Sequence, residues 1–203
     1  MRSFSEIDTT AKRASKAAGF SWGIAEEIGK SIQSLELFGL PGIINLNNYL
    51  KKIKQKHPKK IEKIEKENKT SDKELCPIYS GVAFLDRCLE LEKLKSIKFY
   101  KVSYPLLMLP FISRASEIMS KKILVQYDNT SFLLNFDKSI FSKNIDKQAQ
   151  SLANVISIEF IENKNSFSEQ DWKELYKLSE ETFVDESESS KAKSAGAGLT
   201  DND

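Results

Sequence analysis

Glu26 and Glu27, adjacent acids near the start of an amphipathic run, are the residues whose type and placement come nearest to catalytic chemistry. A carboxyl group held in a partly dry site has its pKa pushed toward neutrality, where it can pass a proton, and an ionised pair can hold a divalent cation. A plainer role competes. Acids in the first turn of a helix complement its dipole, and Glu26 stands four residues before Lys30, the spacing of a stabilising pair on a solvated face. The plainer role is favoured, because a lone carboxylate pair is a weak functional signal.

The far end of the chain offers a second candidate. Gly196–Ala197–Gly198 can expose backbone N–H groups to an anion, since glycine reaches the left-handed conformations from which such nests form. It is neither a phosphate loop nor a dinucleotide fingerprint, because no Gly-Lys-Ser or Gly-Lys-Thr ends the run and no strand precedes it. Thr200, Asp201, Asn202 and Asp203 follow Leu199 and supply polar groups that would need a pocket to hold them. By composition alone this end is a frayed tail.

Other reactive residue types are sparse. His57, the only histidine, lies inside a lysine run, so neither a histidine triad nor a multi-histidine metal site is expected. Cys88 reads as a small core residue, whereas Cys76, just before Pro77, could be a reactive thiol if a nearby helix start depressed its pKa. The lysine run from Lys51 to Lys73 lacks interleaved aromatics for stacking on bases, and Glu62, Glu65 and Glu67 interrupt it. Specific nucleic-acid binding is therefore not expected. Trp22 and Trp172 read as core or staple residues.

The elements that must position these residues follow from periodicity and caps. Ser3 and Glu6 have capping-box spacing, and Ile7, Ala11, Ala14 and Ala18 recur at helical intervals up to Gly19. Ser21 caps a central helix whose stripe is Ala25, Ile28, Gly29, Ile32 and Leu35, ending at Gly39 and Pro41. Gly29 leaves room for close approach, so a tight N-terminal hairpin is expected, with a third helix over Ile43, Leu46, Leu50 and Ile53.

Beyond the lysine run, a helix opens at Pro77 and continues through Val82, Leu85 and Cys88. Ile97–Val102 reads as a strand and Phe111–Met119 as a helix near Pro110. Ile123–Tyr127 and Ser131–Phe136 flank Asp128–Asn129, a hairpin turn, and Val155–Phe160 adds a strand. Ser168, Asp171, Phe167 and Trp172 combine a capping box with a staple and start a long helix running to about Phe183. The class is α+β: a small, mostly antiparallel sheet covered by helices, with an N-terminal helical hairpin and a long C-terminal helix. We expect an N-terminal helical region over 1–55, a lysine-rich exposed insertion over 56–74, an α+β core over 75–184, and a tail over 185–203, all one domain.

At 203 residues the chain can bury a core without disulfides, and its net charge of +2 gives no strong overall attraction to nucleic acid. Two cysteines and no apolar segment in Met1–Glu6 point to the cytoplasm, and no run is apolar enough for membrane insertion.

The Trp22–Gly23–x–Ala25–Glu26–Glu27 start and the Gly196–Ala197–Gly198–Leu199–Thr200–Asp201–Asn202–Asp203 end resemble an uncharacterised bacterial family, the domain of unknown function numbered 3726. Gly39–Leu40–Pro41–Gly42, Cys76–Pro77, the Leu106–Phe111 run and Asp171–Trp172 extend the resemblance over most of the chain. The lysine-rich segment departs from the shorter, less basic one that the resemblance implies. The family lends a grouping and an emphasis on both ends, not an activity or a cofactor. Two readings of function follow. In the first, the protein binds a small molecule or a protein partner, and the tail docks at the N-terminal hairpin, bringing Gly196, Gly198, Thr200, Asp201, Asn202 and Asp203 to Trp22, Glu26 and Glu27. In the second, Glu26 or Glu27 with Asp201 or Asp203 serves acid–base or divalent-metal chemistry in small-molecule metabolism.

Overall fold

A computed structural model describes residues 2–54, 60–61, 63–70, 74–135, 137, 139–143, 149–162 and 164–182. The chain forms two compact units, Met1–Asn163 and Lys164–Asp203.

The first unit opens with three helices. Helix α1 (Phe4–Ala17) begins with a reciprocal box: Ser3 Oγ accepts from the Glu6 N–H at 3.2 Å, and the Glu6 carboxylate accepts from the Ser3 N–H at 3.1 Å. Helix α2 (Trp22–Leu37) starts with Ser21 Oγ accepting from the Ile24 N–H at 3.4 Å. The two pack closely, because a Cβ placed on Gly29 would lie 2.8 Å from the Asp8 carbonyl oxygen. Helix α3 (Gly42–Ile53) has no capping side chain at Pro41, and Glu36 supplies one instead by accepting from the Ile43 N–H at 2.8 Å.

The lysine-rich segment is not simply an exposed insertion. Ile64 is 5% exposed and sits in the hydrophobic core. Strand β1 (Glu67–Asn68) then pairs in parallel with β2 (Ser96–Ser103), Glu67 opposite Lys98. Asn68 secures this junction: its amide donates to the carbonyls of Glu65 at 2.7 Å and Lys98 at 3.1 Å, while its oxygen accepts from the Glu65 N–H at 2.9 Å. At Leu75 the backbone again pairs with β2, donating to the Lys101 carbonyl at 2.8 Å and accepting from the Ser103 N–H at 3.1 Å. Few apolar residues suffice here because a neighbouring strand supplies the hydrogen-bond partners.

Helix α4 (Pro77–Asp86) carries proline in its first turn and breaks at Arg87 before the short α5 (Cys88–Leu91). After β2, the proline-bracketed run forms a 3-10 turn, Pro105–Met108, that leads into α6 (Leu109–Met119). Helices α4 and α6 touch at Gly81, where a Cβ would lie 2.8 Å from Phe111 Cγ. Strands β3 (Lys122–Tyr127) and β4 (Thr130–Leu134) form the expected hairpin, with Asp128 at φ +47°. Strands β5 (Ile140–Lys143) and β6 (Leu152–Ile161) complete a sheet of order β1-β2-β6-β3-β4-β5. The sheet is mixed rather than the mostly antiparallel one expected, since β1 and the Leu75–Val102 bridge run parallel to β2. One of its faces buries Ile97, Phe99, Val125, Phe132, Ile156 and Ile158, all within one cluster with Phe84 and Phe111 of the helices.

In the second unit, α7 (Glu169–Glu180) begins with the expected box: the Ser168 N–H donates to Asp171 at 2.8 Å, and the Asp171 N–H donates back to Ser168 Oγ at 3.1 Å. The Phe167 and Trp172 rings stack at 5.8 Å. Among the described residues α7 has 12 residues, fewer than the 14 and 16 of α1 and α2, so the long C-terminal helix expected is not confirmed. Among the described residues, no helix is long and apolar enough to cross a membrane.

Candidate functional site

Helix α2 does place Glu26 and Glu27 near its start, but each is engaged by a cation. Glu26, half exposed, pairs with Lys12 of α1 at 3.7 Å rather than with Lys30. Glu27 pairs with Lys30 at 3.3 Å and with Arg114 of α6. Burial alone would raise the Glu27 pKa, yet the Arg114 hydrogen bond and charge, assisted by Lys30, outweigh it and hold the carboxyl below its ordinary value. A proton-transfer group needs the opposite shift. Here the carboxylate instead ties α2 to α6.

Trp22 is neither core nor staple. It is 58% exposed, with Lys16 Nζ 5.4 Å from its ring centre. The tail residues Gly196, Gly198, Thr200, Asp201, Asn202 and Asp203, expected to dock here, lie outside the described residues, as does His57.

Cys76 caps α4: its Sγ accepts from the Tyr79 N–H at 3.4 Å and from the Tyr49 hydroxyl at 2.8 Å. Burial pushes its thiol up to about 11, against the depression that a reactive cysteine needs. Nearness to a helix start does not activate it, because a sulfur with almost no solvent contact is penalised as an anion more than the helix N–H groups help it. Cys88 is buried as expected, and both thiols are free.

A different set of residues is assembled by the sheet. Side chains directly opposite in a ladder share a face. The register therefore aligns Glu67, Lys98, Ser157, Gln126, Ser131 and Lys143 in one row across all six strands. A second row on the same face runs Ser96, Glu159, Leu124, Leu133 and Phe141. Every member of both rows is at least partly exposed, and Phe141 is 58% exposed. Among the described residues of the first unit, helices pack on the opposite face only.

The row ends beside a shallow recess of about 330 Å³, lined by Glu67, Lys69, Thr70, Tyr100 and Lys101, where β1 leaves β2. Lys101 lies within β2 at φ +52°, a conformation costly for a residue with a Cβ. The ladder continues on either side, with Tyr100 opposite Val155 and Val102 opposite Ala153. The Lys101 carbonyl accepts from the Leu75 N–H at 2.8 Å.

Sequence reasoning missed this face. Each strand shows its own alternation, for example Lys98 and Tyr100 between Ile97, Phe99 and Val102, and that alternation is the signal that polar residues would share a side. What one strand cannot reveal is which strand lies beside it.

No curated protein and no solved structure matches the chain. A family model matches it over residues 2–76, which include the Trp22–Glu27 and Gly39–Gly42 motifs and leave the C-terminal motif outside. The family is described as Protein of unknown function (DUF3726), and the chain is similar to it over this N-terminal segment.

Proposed function

We propose that this protein is a binding module that works through the uncovered face of its sheet, not an acid–base enzyme built on Glu26 and Glu27. The observation that carries this reading is the six-strand row from Glu67 to Lys143, lying beside Leu124, Leu133 and Phe141. A face with polar groups in register next to apolar ones offers both orientation and desolvation to a ligand. Engagement of Glu26 and Glu27 by Lys12, Lys30 and Arg114 weighs against the carboxylate reading. Both cysteines are free, which suits the reducing cytoplasm.

Amide chemical shifts followed during titration test the reading. The probes are a short oligouridylate, polyglutamate and magnesium ion. A ligand of the face shifts Gln126, Ser131 and Ser157. Shifts confined to Trp22–Glu27 on adding magnesium would replace this reading with the carboxylate one.

A further inference from the structure

Toward each side of the polar row a lysine stands two residues from an aromatic side chain. On β2, Lys98 and Tyr100 are two residues apart, and on β5, Phe141 and Lys143 are two residues apart, so each pair lies on one face. Both pairs are on the uncovered face, and Lys98, Phe141 and Lys143 are exposed. Between them lie Ser157, Gln126 and Ser131. Four strand spacings separate Lys98 from Lys143, roughly 19 Å. Lys69 and Lys101 line the recess beside Tyr100, and Lys122, opposite Ile161, adds a further cation to the face.

We propose that this face binds single-stranded nucleic acid, the lysines meeting phosphates, Tyr100 and Phe141 stacking on bases, and Gln126, Ser131 and Ser157 bonding to base edges. This rests on the reading of the face as a binding surface. Aromatics interleaved with lysines are what unstacked bases on a charged backbone require, and the lysine run of residues 51–73 lacks them. A duplex keeps its bases stacked and offers these rings nothing. Counted over the two rows, the recess and Lys122, five lysines face two acids, Glu67 and Glu159, so the local balance is basic where the whole chain is nearly neutral. An acidic peptide would meet the same lysines but leave the rings without stacking partners.

Fluorescence anisotropy of the full chain with labelled oligouridylate, oligothymidylate and a matched duplex tests the proposal. Both single strands bind more tightly than the duplex, and binding weakens with salt. Phe141→Ala weakens single-strand binding about tenfold. Lys98→Gln with Lys143→Gln lowers the log–log salt slope by about 1.4. The three substituted side chains are exposed, and unchanged thermal unfolding of the variants verifies the fold. A preference for oligouridylate over oligothymidylate supports the proposal and shows that the face reads the 2′-hydroxyl or the missing base methyl; equal binding supports it through stacking and phosphate alone. No single-strand binding at low salt, equal binding of the duplex, or variants that bind like the parent would overturn it. Polyglutamate shifting the face when oligonucleotides do not would overturn it while leaving the binding-module reading intact; silence of the face toward every probe removes both.

Discussion

The acid pair of α2 and the polar row of the sheet make opposite use of charge. Glu26 and Glu27 are neighbours in sequence, yet the fold gives them to different partners, Lys12 on α1 and Arg114 on α6. Lys98 and Lys143 are distant in sequence, yet β6, β3 and β4 bring them into one line. Adjacency in the chain thus ends in structural pairing, and separation ends in a shared surface. Helical spacing decides only which face a residue takes, whereas sheet register decides its company.

The contrast breaks most severely if the far end of the row is not part of the fold. Ile64→Ala, which opens a cavity just before β1, is expected to cost about 2–5 kcal/mol in denaturant unfolding. A loss near zero would mean that the lysine-rich segment merely lies over the sheet, and Glu67 would no longer belong to the row.

Gly29→Leu tests the hairpin that holds the acid pair. The Asp8 carbonyl oxygen blocks the added carbon, so a loss of about 1–3 kcal/mol is expected. Leucine is the better helix former, and a raised thermal midpoint would show that α1 and α2 can separate without cost.

A smaller effect sharpens the role of Glu27. Arg114→Ala should cost about 1 kcal/mol or less at neutral pH, because solvent screens both partly exposed side chains. The folded pKa of Glu27 is lowered, so the pair contributes above the ordinary value of 4.5 and its contribution fades as pH falls through the lower folded value. The parent and variant stabilities should converge in acid. A gap that instead widened on acidification would show that Glu27 binds its proton more tightly when folded, as a general acid would.

The smallest stability effect is expected on the row itself. Gln126→Ala should change stability by less than about 0.5 kcal/mol, since its side chain is exposed, while reducing the ligand-induced shifts of Ser131 and Ser157. A large loss of stability would give the row a structural purpose.

Local chemistry was legible in the sequence wherever a few adjacent residues settle the backbone. Ser3 with Glu6, Ser168 with Asp171, and Asp128 at the β3–β4 turn act within one turn of chain. Strand β1 was hidden because Glu67 and Asn68 owe their place to the backbone of Lys98 and to an asparagine network, and neither has an apolar signature. The mixed sheet follows from that one strand. Arg114 could not be foreseen as the partner of Glu27 across a separation of 87 residues. For Cys76 the sequence shows proximity to a helix start and not burial under Tyr49, so its two roles stayed open there.

The margins of the sheet bear on how the protein behaves when crowded. Strand β1 is two residues long and β5 four, with Lys66 and Lys69 flanking the first and Lys143 closing the second. Short, lysine-bearing margins present a poor backbone template to another chain, so growth into ordered aggregates by strand addition is disfavoured.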